Sequence, residues 1–187
     1  MADLQPYALH NPNFVTLSGI PVDKLSAAQV VTLVDRNTNH YVKDHGYNVY
    51  KAGWAMSGNF VDVIRFGTWL QVRTQETLTA LLKQKADRGS AVPYSDLGAA
   101  MMQQRVFNDV INVGVRGGTI ATGYTNDPVT GVSINLDPVV NFGTRAQQTN
   151  ANISNRVWQD AQIEVVYISG INNIKVNAYV ILNREAS

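Results

Sequence analysis

The most constraining feature of this sequence is a central helix-forming segment with both of its ends marked. Val92-Pro93-Tyr94 precedes it in an extended form, because the residue before a proline avoids helical angles. Ser95 is a favoured N-cap residue, and Gly117-Gly118 supplies the left-handed stop that ends many helices. The sequence therefore predicts a long helix from Ser95 to Arg116. Apolar residues recur along it with mostly helical spacing: Leu97, Met101, Val106, Phe107, Val110, Ile111 and Val113.

Two further helices are predicted upstream. Ser26 and Gln29 form a capping-box pattern at the start of a shorter helix that ends near Asn37. A second long helix is predicted from about Thr68 to Lys85, because Trp69, Leu70, Val72, Leu78, Leu81 and Leu82 recur with mostly helical spacing.

Short β-prone runs account for much of the remaining sequence. The last two are separated by a five-residue turn segment and predict a β-hairpin. The polar stretch from Arg145 to Asn155 predicts a loop or mobile connection. Together these patterns predict an α+β fold, in which two long helices and one shorter helix pack on a small, mainly antiparallel sheet. The predicted strands are Phe14–Leu17, Tyr41–Val42, Tyr47–Tyr50, Phe60–Ile64, Val132–Leu136, Ile163–Ile168 and Ile174–Leu182.

The chain of 187 residues is long enough for one domain with arms. Residues 1–13 are polar, contain Pro6 and Pro12, and predict an irregular N-terminal arm. Residues 14–187 are expected to form a single domain that ends in the β-hairpin or arm. The first residues lack the basic and apolar segments of a signal peptide, so we expect a soluble protein made in a reducing cytoplasm.

The charge content of the chain bears on which partners it can have. The formal net charge is +1 and no basic stripe is present, so nucleic acid is not an expected partner. No apolar stretch approaches the ~20 residues that a membrane helix needs, so we expect no direct membrane contact. The densest basic cluster, formed by Lys83, Lys85 and Arg88, lies at a predicted helix end, where the helix dipole favours cations. Charged residues make up only 16% of the chain, against about 25% in typical proteins. Such a surface suits a protein that packs against copies of itself, and it also suits an ordinary secreted or crowded-surface protein.

No residue pattern indicates catalysis. The chain has no cysteine, and the pair His40 and His45 has no third metal ligand nearby in the sequence. Ser57-Gly58 and Ser169-Gly170 are turn pairs outside any nucleophile-elbow pattern. We therefore expect no enzyme activity, no catalytic or metal-binding residue and no cofactor.

The order of these segments resembles the C-terminal, polymerising domain of contractile tail sheath proteins of myophages, a family shared with related contractile injection systems. The resemblance covers about residues 14–182. It rests on the order and spacing of several segments, since no single motif is diagnostic. These are the segment from Phe14 to Pro21, the helix from Ser26, the run from Ser57 to Arg65, the Val92-Pro93-Tyr94-Ser95-Asp96 entry, the Arg116-Gly117-Gly118-Thr119-Ile120-Ala121 exit and the final Gly170-to-Ile174 turn.

The resemblance implies a structural role. Sheath subunits form stacked rings around a tail tube and contract, which drives the tube into a host cell. The implied partners are identical subunits, the tail tube protein, and baseplate and tail terminator proteins, in a virion assembled in the bacterial cytoplasm. Family members usually carry further N-terminal domains, so the chain resembles either a minimal sheath protein or part of a larger one.

Assembly of this kind predicts specific contact residues. β-prone segments near both ends of the chain are expected to exchange with neighbouring subunits, or else to stay in their own sheet. Lys83, Lys85 and Arg88 are candidate contacts to the tube, and Arg145–Asn155 is a candidate hinge. The exchange residues are Phe14, Val15, Thr16, Leu17, Ile174, Val176, Ala178, Val180 and Leu182.

Two other classes of function remain open at this point. One is another tail or baseplate component, or a small monomeric binding domain; oligomer size separates it from a sheath subunit. The other is an unrecognised hydrolase, which loss of activity on mutating His40, His45 or Asp62 would reveal.

Overall fold

A computed structural model describes residues 14–51, 53–159 and 161–168. The predicted arm at residues 1–13 and the predicted strand Ile174–Leu182 lie outside the described residues. Within them, helices combine with small antiparallel sheets, which confirms the α+β fold class. The strands in the described ranges form three sheets of two strands each. No helix in these ranges is long and apolar enough to cross a membrane.

The first elements are a short helix and a tight hairpin. Helix α1 (Ala27–Asp35) begins with the predicted capping box, in which the Ser26 and Gln29 side chains each accept the other residue's backbone N–H. Strands β1 (His40–Asp44) and β2 (Tyr47–Lys51) pair antiparallel. His45 and Gly46 between them both have positive φ, as the tight turns that match the twist of a hairpin require.

Helix α2 (Val61–Asp87) begins earlier than the sequence predicts. The predicted strand Phe60–Ile64 is wrong, because only Phe60 remains extended and the next residues form the first helical turns. Phe60 stacks on Trp54 at 4.0 Å between ring centroids, and the Val61 N–H donates to Gly53 O at 3.0 Å. A short apolar run fits a strand or a buried helix equally well, and here these tertiary contacts select the helix start.

The central helix is confirmed between its predicted ends. It consists of α3 (Asp96–Val106), a π-helical turn (Phe107–Ile111) and α4 (Asn112–Arg116). The Ser95 side chain accepts the Gly98 N–H at the N-terminus, and Gly118 has a φ of +68° just past the C-terminus. The π turn, which the sequence pattern did not indicate, carries the fully buried Val110 and Ile111 into the core.

Two small sheets follow the central helix. Strands β3 (Tyr124–Asn126) and β4 (Ser133–Asn135) form one, within the predicted β region. Strands β5 (Val139–Asn141) and β6 (Gln162–Glu164) form the other, so only the first part of the predicted strand Ile163–Ile168 is regular.

The predicted loop Arg145–Asn155 is wrong. The chain there forms a 3₁₀ turn (Arg145–Gln147) and helix α5 (Asn150–Asn155). The Gln148 side chain is buried and bonds both backbone groups of Gln159, which ties the two ends of α5 together. These two hydrogen bonds of Gln148 therefore argue against Arg145–Asn155 as a hinge.

The hydrophobic core lies where α2, the central helix and the β5–β6 sheet meet. Trp158 closes it by donating from Nε1 to Phe142 O at 2.7 Å, and Tyr94 packs against the Trp158 ring at 5.0 Å. The buried core residues are Trp69, Ala99, Val106, Val110, Ile111, Ile120, Val140 and Phe142. Neither α1 nor the β1–β2 hairpin contributes to this cluster.

Candidate assembly surface

The N-terminal segment Phe14–Leu17 lies along the outer edge of β2. The Phe14 N–H donates to Tyr50 O at 2.7 Å, and the Tyr50 N–H donates to Val15 O at 2.9 Å. Thr16 Oγ1 donates to Asn48 O at 3.0 Å. The segment forms no regular strand. It nevertheless satisfies outward-facing backbone groups of β2, and so covers that edge within its own chain.

The outer edge of β1 is covered for only part of its length. At Tyr41 the backbone C=O accepts the Asp23 N–H at 2.7 Å, and the N–H donates to Asp23 Oδ2 at 3.3 Å. In an antiparallel pair, every second residue directs its backbone groups outward. Lys43 is the next such residue after Tyr41, and no described residue bonds its backbone N–H or C=O. Among the described residues, this part of the β1 edge is left open to another strand.

A groove of about 800 Å³ lies beside this open edge, between α1 and the hairpin. Val30 and Val34 line it from α1, and Val42 lines it from β1. Helix α1 is amphipathic but buries none of its residues, and Val34 remains 54% exposed. An apolar helix face normally packs against a partner layer. The described chain leaves this face of α1 without one.

Charged groups at the groove are partly fixed by the hairpin itself. Asp44 pairs with Lys51 Nζ, and its other carboxylate oxygen lies 2.7 Å from His45 Nδ1. The hydrogen bond from Lys51 holds the pKa of Asp44 below its ordinary value. Lys51 Nζ also lies 4.4 Å from the centre of the Phe14 ring, a cation–π contact that holds the N-terminal segment against the hairpin.

The predicted tube-contact residues lie at the C-terminal end of α2. Lys83 forms an exposed i,i+4 ion pair with Asp87 at 2.6 Å. Arg88 is the residue at which the helix is capped, and Lys85 is half-buried. The three residues stay together at one helix end, as predicted, but one of their charges is matched internally.

The two histidines that the sequence did not support as metal ligands have local partners. His40 is buried with Nδ1 3.0 Å from Thr38 O, and the exposed His45 contacts Asp44. Across the described part of the chain, no group of three or more His, Cys, Asp or Glu side chains could hold a metal ion.

Sequence patterns missed a buried polar pair. Asp62 lies in the first turn of α2, is 3% exposed, and accepts a hydrogen bond from Tyr167 Oη at 3.1 Å. Burial, assisted by the negative charge of Asp62, raises the pKa of Tyr167 to about 12. The two residues are 105 positions apart, so no local spacing could have indicated the pair.

This pair predicts a loss of stability at alkaline pH. Because the folded state holds the Tyr167 proton more tightly than the unfolded chain, its contribution is complete below the unfolded pKa of about 10. The contribution falls as the pH rises from about 10 toward 12. We expect urea unfolding midpoints of the wild type to fall more steeply over this window than those of Tyr167→Phe. Parallel pH profiles for the two proteins would contradict the assignment.

Comparisons with known proteins identify no family. A scan against models of known protein families finds no match, and neither does a search of the curated proteins. The sheath resemblance therefore remains a prediction from the sequence.

Proposed function

We propose that this chain is a structural subunit of a contractile phage tail sheath, which assembles with copies of itself by strand exchange into stacked rings around a tail tube. Contraction of the assembly drives the tube into the host cell. The subunit acts without catalysis or a cofactor, and its place is the phage tail. Its other partners are the tail tube protein and the baseplate and tail terminator proteins.

The open edge of β1 beside the uncovered apolar face of α1 carries this proposal. An extended segment added at Lys43 would bond the outward backbone groups of β1 and bury Val34, which is now 54% exposed, beneath its side chains. Strand addition of this kind takes its affinity from main-chain hydrogen bonds and its register from alternate side chains. It joins two different surfaces of the subunit, as an open helical polymer requires.

The sequence offers a donor for this edge. As an extended strand, the sequence from Ile174 to Leu182 would place Ile174, Val176, Ala178, Val180 and Leu182 on one face. An apolar face of that kind matches the apolar part of the groove lining, which includes Val30 and Val34. The donor is therefore proposed to come from a neighbouring subunit.

The N-terminal segment Phe14–Leu17 has a second role in this proposal. Its bonds to Tyr50 and Asn48 are made within one chain in the described structure. Domain swapping conserves such contacts while changing the chain that supplies them. The same contacts at β2 then link two subunits when the segment is exchanged.

Contraction, in this proposal, is a rigid-body rearrangement in which the strand links persist. The low charge content supports extensive packing between subunits. Lys83, Lys85 and Arg88 are proposed to face the tube.

Electron microscopy of the concentrated protein tests the proposal. We expect the full chain to form rings or tubes, and a version ending at Lys175 to form none, because it lacks most of the donor strand. A version ending at Asn183 is the matched control, since it keeps the whole predicted strand and should still assemble. Monomers in all three samples would contradict self-assembly by this chain.

The groove also supports a second candidate, a small monomeric binding domain. The groove volume of about 800 Å³ lies within the range of about 300–1,000 Å³ typical of ligand sites. In that case the groove would take an extended apolar peptide from a different protein. Sedimentation at high concentration separates the two, because a binding domain stays monomeric and a sheath subunit does not.

A further inference from the structure

The carboxylate of Asp62 is buried with an incomplete set of partners. Its Oδ2 accepts the Tyr167 hydroxyl, while its Oδ1 is buried and receives no hydrogen bond from any described residue. The position in the first turn of α2 favours a negative charge, because the helix dipole is positive there. A buried charge still depends on its hydrogen-bond donors. Tyr167 is the side-chain donor that Asp62 has within the described ranges.

Tyr167 is held by its ring and by its neighbours in the chain. Its ring stacks on Phe66, one turn along α2 from Asp62, with 4.5 Å between centroids. The Ala121 N–H donates to Val166 O and the Ile168 N–H donates to Thr119 O, both at 2.9 Å. These bonds attach residues 166–168 to the segment that leaves the central helix.

That receiving segment is itself well anchored. Thr119 and Ile120 are buried, and Thr119 Oγ1 donates to Gly114 O at 3.0 Å. Residues 166–168 therefore contact two anchored segments of the domain, namely α2 and the residues that follow the central helix. They lie immediately before the C-terminal segment that the proposed function assigns to strand exchange.

We infer that Asp62 and Tyr167 form a clamp that holds residues 166–168, the root of the C-terminal segment, on their own subunit, so that exchange of this segment leaves the contacts up to Ile168 in place. The inference rests on the proposed function, because only that function requires the C-terminal segment to exchange between subunits. Its physical basis is separate: releasing Tyr167 would leave a buried carboxylate without its described donor. Residues up to Ile168 then keep their intrachain contacts whichever neighbour the segment reaches.

Amide hydrogen exchange on the full chain tests the clamp. We expect Tyr167→Phe to speed exchange of the Ile168 and Ala121 amides about tenfold or more, because a buried hydrogen bond to a charged group is lost. The Val106 amide in the core should change less. Tyr94→Phe is the matched control, because it removes another tyrosine hydrogen bond, to Val157 O, and should leave Ile168 and Ala121 unchanged.

A second substitution separates the clamp from general loss of packing. Asp62→Asn combined with Tyr167→Phe removes the buried charge, so we expect slower exchange at Ile168 than in Tyr167→Phe alone. If Tyr167→Phe does not fold, Asp62→Asn alone should still speed exchange at Ile168 more than at Val106, because an amide oxygen accepts the Tyr167 hydroxyl more weakly than a carboxylate does.

The results for the clamp and for assembly are independent. Unchanged or uniformly faster exchange in Tyr167→Phe would overturn the clamp even if the protein forms tubes. Selective acceleration at Ile168 and Ala121 would support the clamp even if electron microscopy shows monomers, and then only the proposed function would fail.

Discussion

Replacing Gly98 with alanine is expected to destabilise the protein by about 3 kcal/mol, near the upper end of the usual cost of overpacking. A Cβ at this position would overlap the carbonyl oxygen of Pro93 and lie 3.2 Å from Val92 Cγ1. The Pro93 backbone cannot move easily, because its C=O also accepts the Ser95 N–H at 2.9 Å next to the helix cap. Urea unfolding monitored by circular dichroism measures the change.

The control for Gly98→Ala is Gly67→Ala in α2. A Cβ at Gly67 meets no atom within 4 Å, and alanine favours a helix interior by up to about 1 kcal/mol over glycine. This variant should therefore be more stable than the wild type. A loss of stability in Gly67→Ala, or none in Gly98→Ala, would contradict the packing described at these two positions.

Replacing Val34 with aspartate is expected to raise the concentration needed for assembly about 100-fold or more. Val34 lines the groove beside the open β1 edge, and an incoming strand would bury the new carboxylate without a partner. Leaving a charge buried and unpaired typically costs about 3–5 kcal/mol, which corresponds to a factor of this size in affinity. Light scattering across a concentration series measures the threshold.

Val31→Asp is the matched control for Val34→Asp. Val31 belongs to the same helix and is 59% exposed, similar to Val34, but it does not line the groove. Both substitutions place the same side chain in α1, so their costs to the helix are similar. If the two variants lose assembly equally, or if both still assemble like the wild type, the groove is not the docking surface.

Helices with marked ends were predictable from the sequence. The capping box at Ser26 and the proline, serine and double glycine around the central helix act through neighbouring residues, and both helices lie close to their predicted ends. The π turn inside the central helix was not predicted. The β1–β2 hairpin was likewise predictable, because its turn residues are local. In each case the interactions that set the structure span only a few residues.

Predictions failed where distant contacts decided the local structure. Phe60–Ile64 has the composition of a strand, yet Phe60 stacks on Trp54 and α2 starts directly after it. Residues 145–155 look like a polar loop, yet the Gln148 side chain ties them to Gln159 and the segment becomes helical. Short segments have weak intrinsic preferences, so a few tertiary bonds are enough to override them.

Some features of the candidate assembly surface follow from the sequence, and others follow only from the tertiary structure. The sequence by itself determined the fold class, the amphipathic character of α1 and the alternating apolar pattern from Ile174 to Leu182, because periodicity records which face of an element is apolar. Only the tertiary structure decided that, within the described ranges, α1 would leave its apolar face uncovered and β1 would keep an open edge at Lys43. It alone also brought Tyr167 to Asp62, because the three-dimensional path of the chain decides which polar groups meet across 105 residues.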